Sequence, residues 1–158
     1  MLVDPAEFED VTGRILAGAI EVHRTLGPGL LESIYTPCFH YELTARQLRF
    51  VAQRAVPIVY KGMPVQAGYR IDLIVEDVVV VEVKSAAALL PVHQAQLLTY
   101  MQLTDCPVGL LINFNVPRLM DGVKRLINPR VTVTRRTEVT EGTDQHRETE
   151  KRRQNREE

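Results

Sequence analysis

The chain has 158 residues, 45% of them hydrophobic, which is enough for one domain with a substantial core. Nineteen Lys and Arg against twenty Asp and Glu leave a net charge of −1, so the whole-chain charge carries no nucleic-acid signature and any such binding must use a local patch. No apolar run approaches the roughly 20 residues that cross a bilayer, and Met1-Leu2-Val3-Asp4-Pro5 lacks the basic start and apolar stretch of a secretory signal.

The first periodic segment, Phe8 to Leu26, predicts an amphipathic helix, with Phe8, Val11, Ile15, Ala19, Val22 and Leu26 near helical spacing. Gly27-Pro28-Gly29 stops it. A second helix is expected from about Leu30 to Gln47 on the stripe Leu31, Tyr35, Phe39 and Leu43, with Pro37 tolerated near its first turns. Phe50–Gln53 and Ala55–Tyr60 read as short strands. Cys38 and Cys106 form neither a C-x-x-C pair nor a zinc spacing, so both are expected as free thiols in a reducing cytoplasm.

Two apolar strands follow, Tyr69–Val75 and Val78–Val83, separated by Glu76-Asp77. Asp72 lies on the first, while Glu82 and Lys84 lie at the end of the second. Strand side chains alternate, so Glu82 and Lys84 share a face opposite Val79, Val81 and Val83. Arg70 and Asp72 likewise lie opposite Ile71, Leu73 and Val75. If the apolar sets face one side of an antiparallel hairpin, two carboxylates and a lysine converge on the other side. Buried charges must be paired, bound to metal or neutralised. The plain alternative is a salt bridge from Lys84 to Asp72 or Glu82. Register decides between them. A two-residue turn at Glu76-Asp77 would set Asp72 opposite Val81 and throw Glu82 to the other face. Convergence therefore requires an odd-length connection, Glu76-Asp77-Val78, or a bulge.

Pro91 opens a third helix to about Leu103. His93, Gln96 and Tyr100 fall on one arc of it, but taken alone the pattern is better explained by a solvated face with Tyr100 half-buried. Val108–Asn113 is an apolar strand, expected beside the Lys84 strand in a mixed sheet, and Gly122–Ile127 is a candidate last strand. After Pro129 the composition changes. Val131 to Glu158 holds three valines, no aromatic residue, and seven basic against seven acidic residues. The expected division is a domain over 1–130 and a charged, disordered tail or marginal helix over 131–158.

Four segments, in order, resemble one family. They are Gly29-Leu30-Leu31-Glu32-Ser33-Ile34-Tyr35; Tyr69-Arg70-Ile71-Asp72-Leu73 with Glu82-Val83-Lys84; Leu90-Pro91-Val92-His93-Gln94-Ala95-Gln96-Leu97-Leu98-Thr99-Tyr100; and Gly109-Leu110-Leu111-Ile112-Asn113-Phe114-Asn115. They resemble the GxxExxY proteins of the PD-(D/E)XK nuclease superfamily over about Glu9 to Asn128. Ile71-Asp72 stands where the superfamily name has Pro-Asp, and Gln96-x-x-x-Tyr100 is similar to the Q-x-x-x-Y motif of RecB-like members.

The resemblance implies an α/β restriction-endonuclease-like core, with a mixed central sheet flanked by helices. It implies that Asp72, Glu82 and the Val83 carbonyl bind a metal, while Lys84 orients the attacking water and stabilises charge on the phosphate. Glu32 would approach the site from its helix, although a carboxylate in a first helical turn is also explained by the helix dipole. Gln96 would steady Lys84 or a substrate phosphate, with Tyr100 packed behind it. A few hard oxygen ligands suit Mg²⁺ or Mn²⁺. The expected activity is metal-dependent phosphodiester hydrolysis, with DNA as the expected substrate. The alternatives are a non-cleaving nucleic-acid-binding module and a protein-interaction module on the same fold, and partners could include a second copy of the chain or another protein. Arg70, beside the carboxylates, is the first candidate phosphate contact. Arg46, Arg49, Arg54, Lys61, Arg118, Lys124 and Arg125 are further candidates.

Overall fold

The computed structural model describes residues 2–66 and 68–133. Helix α1 (Ala6–Leu26) and helix α2 (Glu32–Ala45) lead into strand β2 (Phe50–Ala55), preceded at the N-terminus by the short β1 (Leu2–Val3). A small hairpin follows, β3 (Ile58–Tyr60) and β4 (Met63–Val65). Then come β5 (Arg70–Val75), β6 (Val79–Lys84), α3 (Pro91–Thr104), β7 (Val108–Asn113), β8 (Val123–Ile127) and a final short β9 (Thr132–Val133).

Five strands form the central sheet in the order β2-β5-β6-β7-β8. Only β6 and β7 run parallel, because α3 carries the chain back across the sheet between them. The sheet is therefore mixed, as expected. One face carries α1 and α2 over Leu73, Val75, Val79, Val81, Val83, Leu110 and Ile112. The other carries α3 over Ile74, Val80 and Leu111. With both faces covered, β6 and β7 read as continuous apolar runs rather than alternating ones. Helix α3 can lie this close because β7 has glycine beneath it. A Cβ on Gly109 would come within 2.4 Å of the Met101 sulfur and 2.9 Å of the Leu97 side chain.

Several boundaries differ from expectation. Phe50 to Ala55 is one strand, and β4 escaped notice because Pro64 and its neighbours give little strand signal. Ile71 packs with the α3-side residues rather than with Leu73 and Val75. Its strand leaves the β6 ladder just before Leu73, and the facing position on β2 is Gln53 at φ 54°. Val131 is buried in the larger core, and β9 pairs in parallel with β1, so packing continues past residue 130. The remainder of the expected tail lies outside the described residues.

The β5–β6 connection settles the register. Val75 pairs with Val79, Ile74 with Val80 and Leu73 with Val81, leaving Glu76, Asp77 and Val78 as an odd, three-residue link. Glu76 and Asp77 take φ values of 51° and 59°, and the Val78 amide donates to the Val75 carbonyl at 3.1 Å. This is a primed turn with one extra residue. Glutamate is a poor left-handed residue, but Glu76 is held from outside. Its side chain accepts from the Arg49 amide at 2.7 Å and pairs with the Arg49 guanidinium at 2.9 Å. Extending this register sets Asp72 opposite Glu82.

Candidate functional site

Past Leu73 and Val81 the two strands splay, and the carboxylates fill the gap. Glu82 Oε1 accepts from the Asp72 amide at 3.0 Å, and Asp72 Oδ2 accepts from the Val83 amide at 2.9 Å. Each carboxylate thus spends one oxygen on the opposite strand's backbone. Among the described residues, no N–H donor reaches Asp72 Oδ1 or Glu82 Oε2, and the two carboxyl groups lie close enough to share a proton when Glu82 is neutral. The Phe114 amide donates to the Lys84 carbonyl, so even-numbered residues of β6 turn their main-chain groups toward β7. The amide and carbonyl of Val83 therefore face the gap.

The electrostatics of this pair are unfavourable without a cation. Glu82 is only 4% exposed. Burial first, and then the Asp72 charge, push its carboxyl up to about 8, against hydrogen bonding from the Asp72 amide and the charge of Lys84. Lys84 is half-buried, on the Glu82 side of the strand, and among the described residues it makes no ion pair within 4 Å. The salt bridge from Lys84 that stood as the plain alternative is therefore not formed.

Tyr100 closes the site from α3. It is buried rather than half-buried. Burial and then the charge of Glu82 raise its hydroxyl, so Tyr100 lies within electrostatic reach of the carboxylates. Gln96 Nε2 donates to this hydroxyl at 2.9 Å and makes no hydrogen bond to Lys84. One nitrogen of His93 is used locally: its Nδ1 accepts from the Leu90 amide at 3.0 Å and caps α3.

The glycine-glutamate-tyrosine segment before and within α2 acts as a clamp. Gly29 takes φ 95°. Tyr35, fully buried and stacked on Phe114 at 4.7 Å, donates to the Gly27 carbonyl at 2.5 Å and accepts from the Leu30 amide at 3.2 Å. This fixes the entry to α2, from which Glu32 reaches the Ser85 amide at 3.3 Å. Glu32 therefore meets the residue after Lys84.

The basic candidates scatter. Arg46 pairs with Glu42, Arg118 with Asp121 and Arg125 with Glu9. Arg49 sits at the turn end of the hairpin, four residues from the carboxylates, or roughly 13 Å at strand rise. Arg70 donates to the Gln53 carbonyl at 3.3 Å. Among the described residues, Arg54, Lys61, Arg70 and Lys124 make no ion pair. Sequence reading passed over His40. Burial lowers its imidazole pKa against the opposing Asp72 charge, and its Nε2 is buried without a partner among the described residues. A lone histidine on a helix gave no signal. Nor did Ser85, or Asn113, whose amide clamps Ala86 beside the site.

The family model of the PD-(D/E)XK nuclease superfamily matches residues 9–126, and the chain belongs to that superfamily. The mixed five-stranded sheet flanked by helices is the restriction-endonuclease-like architecture of that group. Membership implies nuclease-like activity on a nucleic acid, and superfamily members generally use divalent metals. No curated protein and no solved structure matches the chain. Among the described residues, no cluster of three His, Cys, Asp or Glu side chains is arranged for a metal. The donor set is instead two carboxylates plus main-chain oxygen. Two crowded carboxylates, with an oxygen open on each, fit a hard divalent cation.

Proposed function

We propose that the chain is a Mg²⁺- or Mn²⁺-dependent nuclease of the GxxExxY group, working in the cytoplasm with DNA as its substrate. One observation carries the reading. Asp72 and Glu82 meet across a splayed strand pair, each with one oxygen tied to backbone and one open, with Lys84 next along the same face.

Asp72, Glu82 and the Val83 carbonyl would hold the cation. When bound, it would lower the pKa of water and neutralise charge on the scissile phosphate. The rest falls to the chain's own groups. The backbone amides of Asp72 and Val83 orient the two carboxylates, so that little reorganisation is needed on binding. The ammonium of Lys84 donates to a non-bridging phosphate oxygen and orients the entering water. Water adds to phosphorus as one P–O ester bond breaks; the entering water gives up a proton to solvent and the leaving oxygen takes one from solvent, so the products are a phosphate monoester and an alcohol. Gln96, steadied by Tyr100, keeps a free N–H for a phosphate oxygen, and Glu32 holds the Ser85 amide and with it the end of β6.

The test is a cleavage assay on single- and double-stranded DNA and RNA with Mg²⁺, Mn²⁺ or EDTA, with Lys84→Ala as control. Metal-dependent cutting lost in the variant supports the reading. Tight binding without cutting would make the chain a nucleic-acid-binding module, and no interaction with any nucleic acid would favour a protein-interaction domain.

A further inference from the structure

Between α3 and the segment that carries Ile58 and Tyr69 lies a cleft of about 370 Å³. Helix α3 forms one wall with Val92, Gln96, Thr99 and Leu103, which share one stripe of the helix. Ile58 and the ring of Tyr69 form the other. Three of these are exposed although apolar or aromatic: Val92 at 64%, Tyr69 at 52% and Leu103 at 50%. Tyr69 is not on a loose loop, because its carbonyl accepts from the Val56 amide at 3.1 Å. The cleft shares Gln96 and Tyr100 with the candidate site.

We propose that this cleft takes an unpaired nucleobase, so that the substrate is single-stranded or locally unpaired nucleic acid. The inference rests on the nuclease reading above and narrows it. Three features favour a base over another apolar occupant. First, residues 50–71 contain no Asp or Glu, but carry Arg54, Lys61 and Arg70 in a chain whose net charge is −1. The segment that supplies Ile58 and Tyr69 to the cleft is thus purely cationic, as suits a phosphate backbone, and among the described residues none of the three is used in an ion pair. Second, the polar groups in the cleft are left half-used. His93 Nδ1 accepts from the Leu90 amide, leaving Nε2–H as a donor, while Gln96 gives one N–H to Tyr100 and keeps its carbonyl oxygen. A donor and an acceptor inside an apolar slot match a base edge. Third, Tyr69 offers an aromatic face at the rim, on which a base can stack. A base within a duplex is already stacked and paired and cannot enter such a slot. An unpaired one can.

The experiment uses the full chain with Ca²⁺ in place of Mg²⁺, and labelled oligonucleotides of one sequence as single strand and as duplex. Anisotropy gives affinity for the wild type and for Tyr69→Ala. The sequence has no tryptophan, so Tyr69→Trp supplies a single reporter in the cleft. The expected results are tighter binding of the single strand than of the duplex, and a loss of single-strand affinity on the order of tenfold in Tyr69→Ala with duplex affinity unchanged. Tyr69→Trp emission should be quenched by the single strand alone. Equal wild-type affinity for both forms, or an equal loss for both in Tyr69→Ala, would overturn the cleft assignment while leaving the nuclease reading standing. A change in oligomeric state on Tyr69→Ala, without a change in single-strand affinity, would give the cleft to a second copy of the chain. Absence of binding to any nucleic acid would overturn the nuclease reading itself, and the cleft assignment with it.

Discussion

Glu82→Gln should make the metal-free protein more stable at alkaline pH, although it removes a candidate ligand. Glu82 is buried against Asp72, and its carboxyl rises from the usual 4.5 to about 8. Between those values the folded state holds a proton that the unfolded state has released, so stability falls as pH rises. The loss begins near the unfolded value and is complete above the folded one. At about 1.36 kcal/mol per unit, the full span corresponds to an upper limit of roughly 5 kcal/mol, of which about 3 kcal/mol falls between pH 5.5 and 8.5. Glutamine has nearly the same shape, keeps an acceptor for the Asp72 amide and cannot ionise. Urea unfolding of both proteins in EDTA, at pH 5.5 and 8.5, gives the difference directly. The wild type should lose about 3 kcal/mol more than the variant across this interval. Added Ca²⁺ or Mg²⁺ should remove most of the gap, because a cation favours the ionised pair. Parallel pH profiles for the two proteins would refute the claim that these carboxyls are crowded and desolvated in the fold.

Lys84→Ala should abolish cleavage while leaving the melting temperature within a few degrees of wild type, checked by gel assay and calorimetry, because among the described residues Lys84 makes no ion pair. Asp72→Asn should weaken Mg²⁺ or Mn²⁺ binding at least tenfold by titration calorimetry, and unchanged affinity would remove Asp72 from the ligand set. Tyr35→Phe deletes the hydroxyl that joins Gly27 and Leu30, at a cost of about 1 kcal/mol by denaturant unfolding. Ending the chain after Arg130 removes buried Val131 and β9, and should lower stability by about 1.5–3 kcal/mol relative to the full chain.

Much of this architecture is legible along the chain because its signals are local. The stripe from Phe8 to Leu26 and the proline at Pro91 mark helices that the fold keeps, and the valine-rich runs around Asp72 and Glu82 mark buried strands. Period-two alternation then makes the site conditional on one number, the parity of the link between Val75 and the facing strand. Sequence could state that condition but not resolve it. Glu76 is held in its left-handed turn by Arg49, 27 residues earlier in the chain, a contact that no local pattern carries. The same limit explains the other surprises. Tyr35 reads as a core residue, yet its hydroxyl sets the entry to α2 through Gly27 and Leu30. Arg46, Arg49, Arg118 and Arg125 look like a reserve of phosphate contacts, and packing commits each to a carboxylate. The cleft beside Tyr69 needs α3 and the β3 segment brought together from opposite sides of the Asp72–Lys84 hairpin. Residue type and spacing determine which groups the chain carries and which face of an element they share. Whether those groups meet, and how far a carboxyl's affinity for a proton is shifted when they do, depends on distances between segments that only the folded chain sets.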